Sequence, residues 1–120
     1  MKRDMELCRT ILLTLADKTT PGPFLNLAIP DYSKEQIAYN CHLLYQAGLV
    51  AAYKPLSGDN KLDTFAVGDL TWAGNDFIES IREPSQWEKV KDFAREKGAT
   101  LTIDVIKSIA SHLAIVSLGF

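Results

Sequence analysis

Residues 32–54, with the sequence YSKEQIAYNCHLLYQAGLVAAYK, contain the strongest local folding signals in the chain. Ser33 and Gln36 have the spacing of a capping box, in which each side chain binds a backbone amide at the start of a helix. Gly48 can adopt the left-handed conformation that ends a helix, which brings Leu49 back against Leu44. The stretch therefore predicts a capped helix that leads directly into a strand.

The helix within this stretch has one apolar stripe and one polar face. Ile37, Cys41 and Leu44 recur at steps of three and four residues, which places them on the side that faces the core. We expect the remaining side chains to point away from that stripe: Glu35, Gln36, Tyr39, Asn40, His42, Leu43 and Gln46. This outward face is the first candidate for a functional surface.

The neighbouring segments predict a further helix, a short strand and a β-hairpin. Apolar spacing predicts a helix over 4–16, and residues 24–29 form a short strand-like run. The strand-like runs 49–54 and 63–70 flank the segment Pro55-Leu-Ser-Gly-Asp-Asn60, which is rich in turn-forming residues. These two runs are therefore expected to pair as a β-hairpin.

Three more helices are expected after the hairpin. Thr71 can cap a helix over 72–82, because its hydroxyl can accept a bond from a free amide in the first turn. Ser85 and Glu88 have the spacing of a second capping box, for a helix over 86–97. Thr102 can cap the last helix.

This order of elements is typical of winged helix-turn-helix modules, in which a helix runs straight into a β-hairpin, the wing. The Pro-rich connection before Ser33 holds no clear separate second helix. We expect an α+β fold with a winged helix-turn-helix-like domain over 1–83 and two extra C-terminal helices over 84–120. This extension is expected to pack on the same domain, so that the chain forms one structural domain overall.

Composition limits the class of protein. A chain of 120 residues with 47% hydrophobic and 23% charged residues is typical of one folded domain. Thirteen Lys and Arg against fifteen Asp and Glu give a net charge of −2, which counts against a dedicated binder of the phosphate backbone. No apolar run is long enough to span a membrane, and Asp4, Glu6 and Arg9 interrupt any export signal. We therefore expect a cytoplasmic protein.

The sequence indicates neither a metal site nor a catalytic centre. His42 and His112 are far apart, and Cys8 and Cys41 have no metal-ligand spacing, so we expect two reduced core thiols. There is no nucleophile elbow, glycine-rich phosphate loop or paired-carboxylate motif. We expect a protein that is not an enzyme and has no cofactor, no metal and no small-molecule substrate.

Several blocks of the sequence, taken together and in order, resemble a known family. They are Met1-Lys2-Arg3-Asp4-Met5, Tyr32-Ser33-x-Glu35-Gln36-Ile37-Ala38-Tyr39, Leu44-x-x-Ala47-Gly48-Leu49, Leu70-Thr71-Trp72-x-Gly74-x-Asp76-Phe77, Trp87-x-Lys89-x-Lys91 and Leu118-Gly119. With these blocks the chain resembles the bacterial and phage family called domain of unknown function 2513. The resemblance implies a winged-helix-like fold and transfers no reaction.

The outward face of the first capped helix is the main candidate for nucleic-acid binding. Residues 37–50 are similar to the recognition-helix segment of small winged-helix repressors, which place such a helix in a DNA groove. Amide side chains can pair with adenine edges, whereas Lys and Tyr contact phosphates. The residues predicted to bind double-stranded DNA on this basis are Lys34, Gln36, Tyr39, Asn40, His42, Lys54 and Lys61.

A protein–protein interaction adaptor without DNA binding is the alternative function. The near-neutral charge favours the adaptor, whereas the helix–hairpin–helix order favours DNA. The surface around Lys34, Asn40, Lys54 and Lys61 distinguishes the two alternatives. A continuous positive face there favours DNA, and an acidic or apolar face favours the adaptor.

The last helix is the second candidate surface, because apolar residues appear on nearly every side of it. This pattern predicts a homodimer contact through Ile106, Ile109, Leu113, Val116 and Phe120. The alternative is a helix that wraps into its own wing and first helix. Trp72 and Trp87 are expected to be core or inter-helix anchors.

Overall fold

The computed structural model describes residues 1–56 and 64–119, and within them the chain is an α+β protein. Its helices there are α1 (Met5–Ala16), α2 (Lys34–Gln46), α3 (Trp72–Ser80), α4 (Pro84–Glu96) and α5 (Ile103–Ser117). The strands described in the same ranges are β1 (Phe24–Leu25), β2 (Tyr53–Pro55) and β3 (Phe65–Val67), which form one antiparallel sheet. The α+β class expected from the sequence is confirmed.

The sheet has the order β1-β3-β2, so that β3 pairs with a strand on each side. Tyr53 pairs with Val67 and Pro55 pairs with Phe65, which makes β2 and β3 the two arms of a hairpin. The segment between these arms, residues 57–63 with Lys61, lies outside the described residues.

The sequence predicts a strand over 24–29, but β1 ends at Leu25, so the prediction is wrong for the residues that follow. Asn26 has a φ of 48°, in the left-handed region, which turns the backbone out of the extended conformation. Its side-chain Oδ1 accepts a hydrogen bond of 3.0 Å from the backbone N–H of Phe65. The backbone N–H of Asn26 still donates to the carbonyl of Phe65 at 2.9 Å, so the side-chain oxygen replaces only the main-chain acceptor where β1 would have continued along β3.

The chain consists of two compact units, Met1–Asn75 and Asp76–Phe120. The buried apolar residues of the first unit come from α1, α2, the sheet and the connecting segments; they include Leu7, Ile11, Leu12, Leu27, Ile37, Leu44, Leu49, Phe65 and Val67. The buried residues of the second unit include Phe77, Ile78, Ile81, Trp87, Val90, Ala94, Ile106, Ile109 and Ala110.

Both ends of α2 have the expected geometry. The Oγ of Ser33 accepts a bond from the backbone N–H of Gln36 at 3.1 Å, and the Oε1 of Gln36 accepts one from the N–H of Ser33 at 2.8 Å. At the other end Gly48 has a φ of 77°, and the N–H of Leu49 donates to the carbonyl of Leu44 at 3.0 Å. The capping box and the glycine stop are therefore confirmed.

The other helix starts agree with the sequence in all but one case. Thr71 and Thr102 cap α3 and α5 as expected, since their hydroxyls accept bonds from Gly74 N–H at 3.0 Å and Val105 N–H at 3.1 Å. The expected capping box at Ser85 is wrong, because α4 begins at Pro84. Proline suits the first helical position, where its fixed φ is already helical and its missing N–H would have had no helical partner.

The helix α5 buries one side and exposes apolar residues near its end. Ile106 and Ile109 are buried, whereas the exposed apolar residues are Ile115, Val116 and, just after the helix, Leu118. Neither α5 nor another helix in the described ranges is both long and apolar enough to cross a membrane.

Candidate functional site

The outward face of α2 carries little positive charge. A helix turns by about 100° per residue, so Glu35, Tyr39 and Gln46 lie together, opposite the side that Ile37 and Cys41 bury. Glu35 and Gln46 are exposed and Tyr39 is half-buried. The one formal charge among these outward side chains is the carboxylate of Glu35. This face is therefore polar to acidic.

Asn40 does not lie on that face, so the prediction that it points outward is wrong. Its side chain is 1% exposed. The Oδ1 atom accepts bonds from Asp4 N–H at 2.9 Å and from the Cys8 thiol at 3.5 Å. The Nδ2 atom donates to the carbonyls of Gln36 at 2.9 Å and Lys2 at 3.4 Å. An amide that is buried and fully bonded in this way has no group left for an adenine edge.

The position of Asn40 in the sequence indicates this burial. Asn40 stands three residues after Ile37 and four before Leu44, which places it on the edge of the buried stripe. A buried polar side chain requires hydrogen-bond partners, and α1 supplies them from its first turn and the residues before it. Asn40 thus fastens the start of the chain to α2.

His42 is tied to the sheet by its ring. The imidazole stacks on the ring of Tyr53, with centroids 4.8 Å apart and planes inclined by 8°. Tyr53 in turn lies 5.9 Å from Phe65. This column of rings holds α2 against the hairpin and covers one face of the half-buried imidazole, so His42 has a structural partner already.

Few of the residues predicted to bind DNA are exposed, and these lie apart along the chain. Lys34, Gln36 and Lys54 are exposed, with Lys34 at the start of α2 and Lys54 in the middle of β2. Gln36 also forms the capping box, which occupies its Oε1 atom. Of the seven residues predicted to bind DNA, Lys34, Gln36 and Lys54 are thus open to solvent, and Lys61 lies outside the described residues.

Carboxylates surround the region just before α2. Partial desolvation raises the pKa of the Tyr32 hydroxyl, and the negative charges of Asp4, Glu6 and Asp31 raise it further. The first turn of α2 contains Lys34 as well as Glu35, so this end of the helix carries charges of both signs. The described residues at this end do not form a continuous positive face.

Trp72 is the large exposed aromatic residue that the sequence analysis missed. Its side chain is 86% exposed, so the expectation that it is a core or inter-helix anchor is wrong, whereas Trp87 is buried as expected. The cause is its position at the start of α3. Gly74 faces the preceding turn, and Trp72, two residues earlier, projects from the other side of the helix.

The backbone beneath Trp72 is held firmly. The hydroxyl of Thr71 donates to the carbonyl of Gly48 at 2.6 Å, and the N–H of Thr71 donates to the carbonyl of Leu49 at 3.0 Å. A Cβ at Gly74 would lie 2.0 Å from the Leu49 carbonyl oxygen, so only glycine fits this close approach. The first turn of α3 is therefore fixed against the end of α2.

A second exposed aromatic residue lies at this end of α2. Tyr45 is 45% exposed, and its carbonyl accepts a bond from the N–H of Gly48, the residue that Thr71 contacts. Ala47 and Gly48 between them are also exposed. We call Tyr45, Ala47, Gly48 and Trp72 the Trp72 surface. It has no charged side chain.

The predicted dimer residues divide into buried and exposed ones. Ile106 and Ile109 are buried within the chain, so their side chains are not exposed for the homodimer contact that the sequence predicts. They face the core because α5 is amphipathic over its first half. Leu113 is half-buried, Val116 is exposed, and Phe120 lies outside the described residues.

The two thiols are buried and unreactive in character. Burial raises the pKa of Cys8 to about 12, and the carboxylate of Asp4 adds to that rise while Arg3 opposes it. Burial likewise raises the pKa of Cys41 to about 12, with a further contribution from Cys8. Within residues 1–56 and 64–119, no three His, Cys, Asp or Glu side chains are grouped so that they could hold a metal ion.

A family model described as "Hypothetical protein (DUF2513)" matches residues 2–100 of the chain. The chain belongs to the DUF2513 family. A Haemophilus influenzae protein with the name "Uncharacterized protein" is 32% identical over 114 residues, which cover 94% of this chain and 95% of that protein. No solved structure matches the chain. The resemblance noted in the sequence is thereby confirmed.

The DUF2513 match includes the Trp72 surface and ends before the last helix. Residues 2–100 contain α1 to α4 and the whole sheet, whereas α5 begins at Ile103. The description of the DUF2513 family names no activity, so the function is argued from the surfaces of this chain.

Proposed function

We propose that this chain is a protein-interaction adaptor, and not an enzyme, whose Trp72 surface binds a partner protein. The observation that carries the proposal is the 86% exposure of Trp72 on a backbone that three contacts of Thr71 and Gly74 hold in place. Two free buried thiols fit a reducing compartment, so a cytoplasmic location is part of the proposal.

The energetics of an exposed tryptophan favour a protein partner. An indole left in water forgoes a large apolar burial, and tryptophan is enriched among the few interface residues that supply most of the binding energy. A side chain on a fixed backbone loses less conformational entropy when a partner covers it. Trp72 meets both conditions, and Tyr45 is a second exposed aromatic residue, at the end of α2.

The charge distribution also favours protein over nucleic acid. Counterion release from phosphates supplies most of the nonspecific affinity for DNA and requires clustered Lys and Arg. The outward face of α2 instead carries Glu35, and Asp4, Glu6 and Asp31 lie near its start. The Trp72 surface itself is uncharged.

A winged-helix protein that binds double-stranded DNA is the second candidate. The order β1-β3-β2 and the direct passage from α2 towards β2 fit a helix followed by a hairpin wing. Exposed Lys34 and Lys54 could then contact phosphates on either side of a groove. In this alternative α2 enters the groove through Gln36 and Tyr39.

Site-specific cross-linking tests the adaptor. A photoreactive phenylalanine analogue is placed at position 72 or 45 and, as a control, at Leu25, an apolar position of the first unit whose 62% exposure lies between the values for Tyr45 and Trp72. Irradiation in bacterial cells is expected to yield the same discrete protein adduct from positions 72 and 45 and none from position 25. Equal adducts from all three positions, or none from 72, would contradict the proposal.

A binding titration tests the DNA alternative. Fluorescence anisotropy with random duplex DNA is measured at low and at physiological salt, for the wild type and for Lys34→Ala and Lys54→Ala. The adaptor predicts no binding at micromolar protein in physiological salt. Binding that weakens steeply with salt and with each lysine substitution would favour the winged-helix DNA binder instead.

A further inference from the structure

A network of three residues joins the connection between α1 and β1 to the segment between β3 and α3. The Nζ atom of Lys18 lies 2.6 Å from Oδ1 of Asp69, and it also donates to the carbonyl of Gly22. The N–H of Gly22 donates to Oδ2 of Asp69 at 2.9 Å. Each of the three residues therefore contacts the other two. We call Lys18, Gly22 and Asp69 the Asp69 network.

The network holds both polar backbone groups of Gly22. Its neighbours Pro21 and Pro23 have no N–H, so Gly22 supplies the one main-chain donor of this Pro-Gly-Pro sequence. Gly22 has a φ of 113°, a conformation that residues with a side chain rarely adopt. The network thus fastens a segment whose two prolines can donate no main-chain hydrogen bond.

The Asp69 network lies where the ladder between β1 and β3 would continue. Phe24 pairs with Val67 in this ladder. Two residues further along, the same antiparallel register places Gly22 opposite Asp69. The main-chain carbonyl of Asp69 is bonded elsewhere, since it accepts from the N–H of Ala51 at 2.8 Å. The carboxylate of Asp69 therefore accepts from Gly22 in place of a main-chain carbonyl.

Asp69 stands three residues before Trp72. Main-chain contacts hold residues 69–71 along one edge, where they meet residues 49–51. The Asp69 network holds the same segment on the side of β1. The segment that leads into the Trp72 surface is therefore fixed from both sides.

The charges of the network are partly shielded from solvent. The side chain of Lys18 is 13% exposed and that of Asp69 is 43% exposed. The hydrogen bonds from Lys18 and from the N–H of Gly22 lower the pKa of the Asp69 carboxyl, so this group is ionised at neutral pH. Hydrogen bonds between charged groups are stronger than those between neutral groups. A neutral side chain at position 18 or 69 therefore weakens the network.

We propose that Asp69 is a positioning residue of the Trp72 surface. The Asp69 network holds residues 69–71 in the conformation that presents Trp72 to a partner, and its loss lets this segment open locally. A surface that is already fixed in its bound conformation loses less entropy on binding, so the intact network strengthens binding. The effect on binding rests on the proposed function, whereas the local opening does not.

Amide hydrogen exchange tests the local opening without a partner. Asp69→Asn keeps the shape of the side chain and removes its charge, and Lys18→Met removes the ammonium group. In each variant the amide of Thr71 is expected to gain about 10-fold more in exchange rate than the amide of Cys41, which lies in the core of α2. An equal gain at the two amides, or none at Thr71, overturns the proposal, because the network then contributes general stability or nothing.

The affinity for the protein cross-linked at position 72 tests the effect on binding. Asp69→Asn is expected to raise the dissociation constant about fivefold or more, whereas a general loss of stability leaves the affinity of the folded protein unchanged. The matched control is Asp92→Asn, which breaks an ion pair of 2.8 Å with Arg95 in α4. It is expected to stay within about twofold of the wild type in both measurements.

The two measurements separate this proposal from the adaptor proposal. Faster local exchange at Thr71 with unchanged affinity of Asp69→Asn overturns the positioning role. If position 72 yields no adduct, the adaptor is contradicted, and the exchange rates of Thr71 and Cys41 alone support or overturn the Asp69 network.

Discussion

Asn40 shows how one buried amide can organise the first unit. It bonds to Asp4, Cys8, Gln36 and Lys2, so that α2 and the start of the chain are joined at one side chain. Replacing it with a small apolar residue leaves the partly buried N–H of Asp4 without its partner. A buried donor in this condition costs more than the hydrogen bond itself.

Asn40→Ala is therefore expected to lower the free energy of unfolding by about 2 kcal/mol. Urea denaturation measures the change, with Gln46→Ala as the control, since Gln46 lies on the same helix but is exposed. The control is expected to stay within about 0.5 kcal/mol of the wild type. An Asn40→Ala variant as stable as the control would show that the cluster of bonds contributes little.

The buried thiols make stability depend on alkaline pH. An unperturbed cysteine ionises at 9.0, whereas burial raises the pKa of Cys8 and Cys41 to about 12. The unfolded chain therefore loses these protons at a lower pH than the folded chain. Their contribution to stability is complete below pH 9 and is lost as the pH rises from 9 towards 12.

Thiol reactivity checks the same pKa values directly. Only the thiolate attacks a disulfide reagent, so at pH 8 the folded protein is expected to react at least 100-fold more slowly than the protein in denaturant. Absorbance of the released thiolate of an aromatic disulfide reagent follows both reactions. Immediate reaction of the folded protein would mean that the thiols are accessible and ionise normally.

Two serines that look alike in sequence have different roles at the starts of their helices. Ser33 accepts a bond from Gln36 N–H and forms the N-cap of α2, whereas Ser85 lies inside the first turn of α4, after Pro84. Ser33→Ala is expected to cost about 1 kcal/mol of unfolding free energy, and Ser85→Ala close to nothing. Thermal denaturation of both variants compares them, and equal losses would contradict the assigned helix starts.

Local chemistry explains which elements could be predicted. The start of α2, its stop at Gly48 and the cap at Thr102 depend on hydrogen bonds within a few residues, so the sequence contains all that determines them. The early end of β1 depends on a bond between Asn26 and Phe65, which are 39 residues apart. Contacts at that separation leave no trace in local spacing.

The same distinction applies to the candidate site. Lys34 and Lys54 were expected to be exposed and are, because exposure is the usual state of a lysine. The burial of Asn40 and the exposure of Trp72 both run against the usual state of the residue type. Each follows from a tertiary contact, the first with α1 and the second through Gly74 and Leu49.

Over the whole chain, the net charge and the exposed aromatic surface both favour a protein partner over nucleic acid. The net charge of −2 gives no general attraction to phosphates, and the described surface around α2 carries charges of both signs. The Trp72 surface offers apolar contact instead. We therefore propose that a partner protein binds where α2 ends and α3 begins.

The affinity of the protein cross-linked at position 72, once purified, tests this account most directly. Isothermal titration calorimetry compares its binding to the wild type, to Trp72→Ala and to Leu25→Ala. Trp72→Ala is expected to weaken binding by about 30-fold or more, as loss of an interface hot spot does, and Leu25→Ala by less than twofold. Unchanged affinity of Trp72→Ala would contradict a role for Trp72 in binding the partner.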